Sequence, residues 1–131
     1  MRKMDGNNMT GNKVSGSCHC GQVRFTIQLP DVLEGPFRCN CTLCRRKGAI
    51  MASVPKEYFT LDTGQEHLSM YQWNTHIAKH YFCKHCGIYT HHQRRSKPDH
   101  IGFNIGCVSE LNETYSNKEV PMFDGASMSV D

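Results

Sequence analysis

The sequence predicts a single domain of the all-β class, and three observations support this prediction. Residues 22–29 alternate with a period of two, so Val23, Phe25 and Ile27 would share one face of a half-buried strand. No window of useful length shows the 3.6-residue period of an amphipathic helix. The 131 residues include eight cysteines, far above ordinary usage, and seven of them fall into three short motifs.

Five further segments have the composition of strands, and prolines or turn residues separate them. Pro30 ends the first predicted strand and Pro55 ends the second. The further segments are residues 49–54, 58–61, 68–73, 76–82 and 101–107. In the last of these, small residues such as Gly102 would face outward between apolar neighbours. The pattern predicts at most one short helical turn, near residues 44–48.

The chain is predicted to contain one folded domain between two loosely held ends. Residues 1–14 are rich in Asn, Gly and Lys, which is typical of a disordered leader. Residues 121–131 are predicted to form a flexible tail. The domain would therefore span residues 15–120, in which we find no internal repeat and no linker that would divide it.

The pattern of apolar residues restricts the compartment. The first 14 residues lack the apolar core of about 7–15 residues that a secretory signal needs. The chain also has no run of about 18 apolar residues that would cross a membrane. We therefore expect a cytoplasmic protein that has no membrane partner and keeps its cysteines as thiols rather than disulfides.

Two cysteine pairs that lie far apart in the sequence would form one metal site. In the motif Cys18-His19-Cys20 both sulfurs would lie on the same face of a strand, because strands have a period of two. Cys83 and Cys86 form a Cys-x-x-Cys turn followed by glycine, which is typical of a zinc knuckle. Four thiolates complete a tetrahedral shell around zinc, so this site would be closed and structural.

The remaining motif holds three cysteines within six residues and differs from the first site. Its members are Cys39, Cys41 and Cys44. The local sequence offers no fourth thiolate, and three protein ligands with one open position are the arrangement of a catalytic zinc. Alternatively, Cys107, His91 or His92 closes the site as a fourth ligand. The sequence alone also allows Cys18 and Cys20 to join this motif, although separate sites are the simpler arrangement.

The three motifs and their flanking residues resemble one family, the glutathione-dependent formaldehyde-activating enzymes, which also include the centromere protein V domain. Three segments carry the resemblance: GSCHCGQVRF at residues 16–25, CNCTLCRRKGA at residues 39–49 and FCKHCGI at residues 82–88. The motifs occur in the same order with matching flanks. The similarity extends over residues 16–107.

The resemblance implies a fold, two zinc ions per chain and a reaction. The fold would be the zinc-bearing β-tent of Mss4-like proteins. The structural zinc would be held by Cys18, Cys20, Cys83 and Cys86, and the catalytic zinc by Cys39, Cys41 and Cys44. The reaction that gives the family its name joins formaldehyde to glutathione and yields S-hydroxymethylglutathione. Such enzymes are classed as carbon–sulfur lyases.

Glutathione as a substrate would need cationic partners, because it carries two carboxylates. Arg45 and Arg46 directly follow the three-cysteine motif, and arginine can bind a carboxylate through two parallel hydrogen bonds. We therefore predict Arg45 and Arg46 as contacts of the glutathione carboxylates. Arg94 and Arg95 follow the second cysteine pair and are weaker candidates for the same role.

Two other functional classes fit the motifs. A thiol carrier would bind glutathione without accelerating any chemistry. A zinc-stabilised adaptor would use its arginines to bind nucleic acid or protein, but its aromatic residues are not interleaved with the basic ones as stacking platforms would be. The formal net charge of +3 would also fall close to zero with seven thiolates and two zinc ions. We therefore expect a small-molecule thiol as the partner rather than nucleic acid.

Overall fold

The structure, a computed structural model, describes residues 12–115 and 119–127 and is mainly β, as the sequence predicts. Its first five strands are β1 (Lys13–Ser17), β2 (Arg24–Gln28), β3 (Glu34–Cys39), β4 (Met51–Pro55) and β5 (Phe59–Thr63). The later strands are β6 (Leu68–Tyr71), β7 (Lys79–Cys83), β8 (Tyr89–Gln93), β9 (His100–Asn104) and β10 (Met122–Phe123). Two short α-helices are α1 (Thr42–Lys47) and α2 (Ser109–Tyr115).

The strands form two sheets. The smaller sheet has the order β1-β2-β5, and the larger has the order β10-β3-β4-β9-β8-β7-β6. All neighbouring strands are antiparallel except β10 and β3, which are parallel. β4 lies inside the larger sheet, and its residues 51–54 are all buried because both of its faces are covered.

Strand β2 supplies the apolar face that its alternation predicts. Val23, which directly precedes the strand, and Phe25 and Ile27 are fully buried, whereas Arg24 between them is exposed. Phe25 stacks on Phe59 of β5 with 5.0 Å between ring centroids. Each such side chain contributes about 1.5–3 kcal/mol when it is fully buried, so this face joins the smaller sheet to the core.

The predicted ends of the domain need correction. Residues 13 and 14 were assigned to a disordered leader, but they lie in β1, where Val14 is buried and pairs with Ile27. The predicted flexible tail is held from residue 121 onward, because the backbone N–H groups of Arg38 and Asn40 donate to the carbonyls of Pro121 and Phe123. Residues 1–11 and 128–131, the other parts of these predictions, lie outside the described residues.

The larger sheet also differs from the predicted pattern. The strand predicted over residues 101–107 ends at Asn104, whose side chain accepts a hydrogen bond from the Gly106 N–H and starts a 3₁₀ turn. Gly102 does not face outward: it is buried, and a Cβ there would lie 2.4 Å from the His92 ring. Strand β3 was not predicted. All six of its residues are half-buried, so its sequence shows no alternation of apolar and polar residues.

Both short helices form in segments whose sequences show no helical period. α1 covers 42–47 rather than a turn near 44–48, and the Cys41 sulfur caps its first turn by accepting from the Cys44 N–H. α2 was missed because only one of its residues, Leu111, is buried, which leaves no helical period to detect. Neither helix has the length and apolar character that crossing a membrane requires.

Gly64 fixes how closely β5 approaches the segment that leads into β2, and this generates a prediction. Gly64 and Gly48 have φ of 98° and 66°, where alanine costs about 1–2 kcal/mol. A Cβ on Gly64 would also lie 2.3 Å from the Gln22 carbonyl oxygen, whereas one on Gly48 would contact nothing within 4 Å. We expect Gly64→Ala to lower the free energy of unfolding by about 1–3 kcal/mol more than Gly48→Ala.

Urea unfolding of both variants at equal metal content measures this difference. Equal losses at the two positions would show that the close backbone contact at Gly64 has no energetic effect.

Candidate metal centres and the adjoining cavity

The first cysteine group joins the two sheets. Its ligand atoms all lie within 4.8 Å of one another, and the members are Cys18, Cys20, Cys83 and Cys86. The first two lie in the connection between β1 and β2, and the last two lie where β7 ends and turns towards β8. The Cys20 Sγ is 3.7 Å from both the Cys18 Sγ and the Cys83 Sγ. The structure therefore brings the sulfurs of these two distant pairs together.

Local backbone hydrogen bonds hold these sulfurs in place. The Val23 N–H donates to the Cys18 Sγ at 3.3 Å, and the His85 N–H donates to the Cys83 Sγ at 3.4 Å. Gly87 has φ of 77° and donates its N–H to the Cys83 carbonyl at 2.8 Å, which closes the turn. Burial acts to raise the pKa of the Cys18 thiol, but the Val23 N–H and the other hydrogen bonds to it outweigh burial and lower that pKa, which favours the thiolate form that binds a metal.

The group fits a tetrahedral metal ion with four sulfur ligands. A Zn–S distance of about 2.3 Å in a tetrahedron implies about 3.8 Å between sulfurs, close to the observed 3.7 Å. Burial acts to raise the pKa of the Cys86 thiol, but hydrogen bonds from the backbone at Cys20 and Ile88 outweigh it and lower the pKa to about 6. The group could therefore hold a metal ion, and its four ligands leave no position for a substrate.

The second group is built around the start of α1. Cys39 ends β3, Cys41 caps α1, and Cys44 lies in the first turn of that helix. Their sulfurs lie within 4.8 Å of one another, and Cys41 is 2% exposed. Burial raises the pKa of the Cys39 and Cys44 thiols, and negative charge on a neighbouring sulfur adds to this effect. The three thiols would therefore ionise together only beside a cation, so this group too could hold a metal ion.

Among the residues that the structure describes, no further cysteine, histidine or carboxylate lies close enough to join the second group, which consists of the three cysteines alone. The Cys107 Sγ instead donates to the Tyr89 carbonyl at 3.7 Å, and burial raises the pKa of its thiol to about 12. His91 packs in the core against Phe59 and Tyr81, with ring centroids 4.6 and 4.8 Å away. Burial lowers the pKa of His91 to about 4, so it is a neutral strand residue.

A cavity of about 490 Å³ lies beside the second group, within the size range of small-molecule sites. Cys39 and Cys44 are part of its wall. Its polar and charged lining residues are Glu34, Lys47, His92, Arg94, Arg95 and Ser96. Its apolar lining residues include Phe37, Met51, Pro121, Met122 and Phe123. A cavity with an apolar wall and a few polar groups next to a metal-binding group is the usual form of a substrate site.

Lys47 is a cavity residue whose position the sequence could have indicated, because it follows Cys44 by three residues on the same face of α1. Its Nζ lies 3.5 Å from the centre of the Tyr89 ring and donates to the His80 Nδ1 at 3.3 Å. Burial lowers the pKa of Lys47 to about 8, although the nearby cysteine sulfurs oppose this effect. The amine can therefore hold or release a proton near neutral pH.

His92 lies beside Lys47 in the same wall. Its Nδ1 forms a short hydrogen bond with the Tyr89 hydroxyl, and its ring stacks on His80 with 5.1 Å between centroids. Burial, together with the positive charges of Lys47 and other neighbours, holds the pKa of His92 well below its usual value. His92 is thus neutral, and it is not among the residues that form the second group.

Glu34 and the arginines after β8 form another part of the wall. Arg94 donates to the Glu34 Oε2 at 2.8 Å and to the Ser53 Oγ at 3.0 Å. Burial acts to raise the pKa of Glu34, but Arg94 and Lys97 outweigh it and leave that pKa below its ordinary value. Glu34 therefore stays ionised and neutralises the charge of Arg94.

Arg45 and Arg46, the predicted carboxylate contacts, are exposed on α1 and are not among the residues that line the cavity. Arg46 donates to the Thr42 carbonyl at 2.8 Å. Their contact with a substrate stays a prediction. The cavity wall contains Arg94 and Arg95 in their place, although the sequence gave these two less weight.

Asn40 connects the second group to the end of the chain. It lies between Cys39 and Cys41, its Nδ2 donates to the Asp124 Oδ1 at 3.0 Å, and its Oδ1 accepts from the Ala126 N–H at 2.8 Å. The segment held in this way, residues 121–126, includes three residues of the cavity wall. We call it the C-terminal strap.

The Asn40 contacts generate a prediction about the strap. In Asn40→Ala the Ala126 N–H loses its acceptor, and one hydrogen bond is worth about 1 kcal/mol. We expect hydrogen exchange at Ala126 to become about fivefold faster. Asn112→Ala, which alters an exposed asparagine on α2, is the control. An unchanged exchange rate at Ala126 in Asn40→Ala would mean that other contacts hold the strap.

Comparison with known proteins agrees with this geometry. Residues 13–123 match the family model described as glutathione-dependent formaldehyde-activating enzyme. A Halomonas elongata protein named "Putative glutathione-dependent formaldehyde-activating enzyme" is 37% identical over 82 residues, which are 56% of this chain and 51% of that protein. The chain thus spans about half the length of this curated relative.

A solved structure gives the same result for the fold. The crystal structure of a Rhodobacter sphaeroides protein matches with a TM-score of 0.74 and 41% sequence identity. The match covers 83% of this chain and 99% of that one. The family match includes both cysteine groups and all the strands that the structure describes. The chain therefore belongs to the glutathione-dependent formaldehyde-activating enzyme family.

Proposed function

We propose that this protein is a zinc-dependent carbon–sulfur lyase that forms and splits the adduct of an aldehyde with glutathione or a similar thiol. One observation carries the proposal. Cys39, Cys41 and Cys44 converge with no fourth ligand in the described part of the chain, and they lie beside a cavity of about 490 Å³. A metal ion held by these three cysteines would keep one coordination position open for the sulfur of a substrate.

Zinc is the ion that the ligand sets favour. All seven ligands are cysteine sulfurs, and soft thiolates select zinc, Cu(I) or iron–sulfur clusters. The spacing of 3.7 Å between sulfurs in the first group suits a single tetrahedral zinc. None of the eight cysteines forms a disulfide bond, and cysteines stay without disulfides in a reducing compartment, so we propose the cytoplasm as the location.

The reaction joins the thiol sulfur to the aldehyde carbon. The S–H bond breaks, a C–S bond forms, and the proton ends on the former carbonyl oxygen, so no oxidant is needed. Bound zinc would supply a cationic centre that keeps the substrate sulfur deprotonated at neutral pH. In the reverse direction the C–S bond breaks and the hydroxyl proton returns to the sulfur.

Residues of the cavity wall suit the other parts of this reaction. Lys47 can donate a hydrogen bond from Nζ to the aldehyde oxygen and give it a proton as the C–S bond forms. Phe37 and the buried Met51 line the apolar side of the cavity, where they would limit contact between water and the reacting atoms. The name of the Halomonas elongata relative supports formaldehyde and glutathione as the substrates.

Zinc content tests the separate roles of the two groups. We expect Cys41→Ser to lose one of two zinc ions and keep most of its secondary structure. We expect Cys18→Ser to unfold, because the first group joins the two sheets and its metal contributes folding free energy. Metal analysis with circular dichroism measures both effects, and Cys107→Ser, outside both groups, is the control. Equal unfolding of Cys41→Ser and Cys18→Ser would contradict separate roles.

The chemistry is tested by following adduct exchange directly. Exchange NMR of a mixture of formaldehyde and glutathione measures how fast S-hydroxymethylglutathione forms and splits. We expect the zinc-loaded protein to accelerate this exchange, Cys107→Ser to keep the acceleration and Cys41→Ser to lose it. If glutathione binds but the exchange rate stays at the uncatalysed value, the protein is a thiol carrier and the proposed lyase activity is wrong.

A further inference from the structure

We propose that Arg95 forms an anion-binding subsite in the cavity and selects thiols that carry a carboxylate. The inference rests on the proposed function, because it takes the cavity beside Cys39 and Cys44 as the substrate cavity. It names the recognition group and the class of substrate that this cavity would accept.

The state of the Arg95 side chain is the first observation. Its Nε is buried and has no hydrogen-bond partner among the described residues, and the residue lines the cavity. Arginine stays charged at any pH that a protein meets, so this buried donor cannot be removed by losing a proton. Buried donors in native proteins nearly always have an acceptor. Because the Nε is closed off, a ligand in the cavity would meet the charge of Arg95 through the other nitrogens of its guanidinium.

The other cations of the wall already have partners inside the protein. Arg94 is neutralised by Glu34 at 2.8 Å and also donates to Ser53. Lys47 lies over the Tyr89 ring and donates to His80. Glu34 is the one acidic side chain among the residues that line the cavity, and it lies 2.8 Å from Arg94 and 3.4 Å from Lys97. The positive charge of Arg95 is therefore left for an anionic ligand.

The shape of the guanidinium indicates the class of anion. Its planar arrangement of donors matches a carboxylate through two parallel hydrogen bonds. Apolar side chains such as Phe37, Met51 and Met122 line the same cavity and would contact the aliphatic parts of the substrate. A thiol that also carries a carboxylate can bind with its sulfur at the second cysteine group and its carboxylate at Arg95. Glutathione meets both requirements, whereas 2-mercaptoethanol meets only the first.

The test separates the carboxylate contact from the sulfur contact. The probe is S-methylglutathione, which keeps both carboxylates but has no free thiol, and binding to the zinc-loaded protein is measured by calorimetry. We expect Arg95→Gln to weaken this binding by about tenfold or more, because a charged hydrogen bond is lost. Lys56→Gln removes one positive charge from an exposed position outside the cavity, so its affinity should stay within about twofold of the wild type.

A second variant and a second thiol complete the experiment. Arg95→Lys keeps the charge but not the planar donors, so its affinity should lie between those of the wild type and Arg95→Gln; it also serves if the Gln variant does not fold. The affinity for 2-mercaptoethanol, which has no carboxylate, should be the same in the wild type and in both Arg95 variants.

Each outcome decides one of the two claims. Equal weakening by Arg95→Gln and Lys56→Gln, no weakening by Arg95→Gln and Arg95→Lys, or no binding of S-methylglutathione to the wild type would each overturn the subsite. If S-methylglutathione binds through Arg95 but neither glutathione nor 2-mercaptoethanol places its sulfur at the group that contains Cys41, the subsite is correct and the proposed lyase site is wrong.

Discussion

The meeting of four cysteine sulfurs between the two sheets is the constraint on which the rest of the structure depends. Cys18 and Cys20 come from the smaller sheet and Cys83 and Cys86 from the larger one, and 63 residues separate Cys20 from Cys83. Closing a loop of that length costs conformational entropy, and a chain of 131 residues has a modest core with which to offset it. Metal–sulfur bonds at this point would offset much of that entropy in a small volume.

The position of the second group follows from the larger sheet. β3 is paired with β4 on one side and with the short β10 on the other, so the chain leaves the sheet at Cys39 and begins α1 within three residues. The cap formed by Cys41 therefore does two things: it ends the strand segment and it brings three sulfurs together. The same strand binds the C-terminal strap, so the second cysteine group and one wall of the cavity are supported by the same strand.

The sequence predicted those features that depend on local spacing. The alternation around Phe25 identified β2, and the separations within each cysteine motif indicated that its own sulfurs lie together, because a strand or a tight turn fixes where such close neighbours lie. The two distant pairs of the first group were joined on chemical grounds instead, because a closed tetrahedral site needs four ligands. The class of fold followed from the same local patterns.

Features that depend on distant parts of the chain were missed. Gly102 is buried because the His92 ring of the neighbouring strand covers it, and the C-terminal strap is ordered by Asn40 more than 80 residues earlier. The cavity also depends on distant parts of the chain. Lys47 and Arg95 both line it only because α1 and the end of β8 lie on the same cavity in the folded protein. No window of sequence contains the information that Arg95 rather than Arg45 lines this cavity.

Charge balance connects the second group to the cavity residues. Three thiolates exceed the charge of a divalent ion by one, and a substrate thiolate would add another negative charge beside Cys44. Such a centre is a weak Lewis acid, which suits the delivery of a nucleophilic thiolate better than the activation of water. Lys47 and Arg95 supply compensating positive charge from the cavity wall, while Glu34 cancels that of Arg94. The wall could thus accept an anionic thiol beside such a centre, as the proposed lyase activity on glutathione requires.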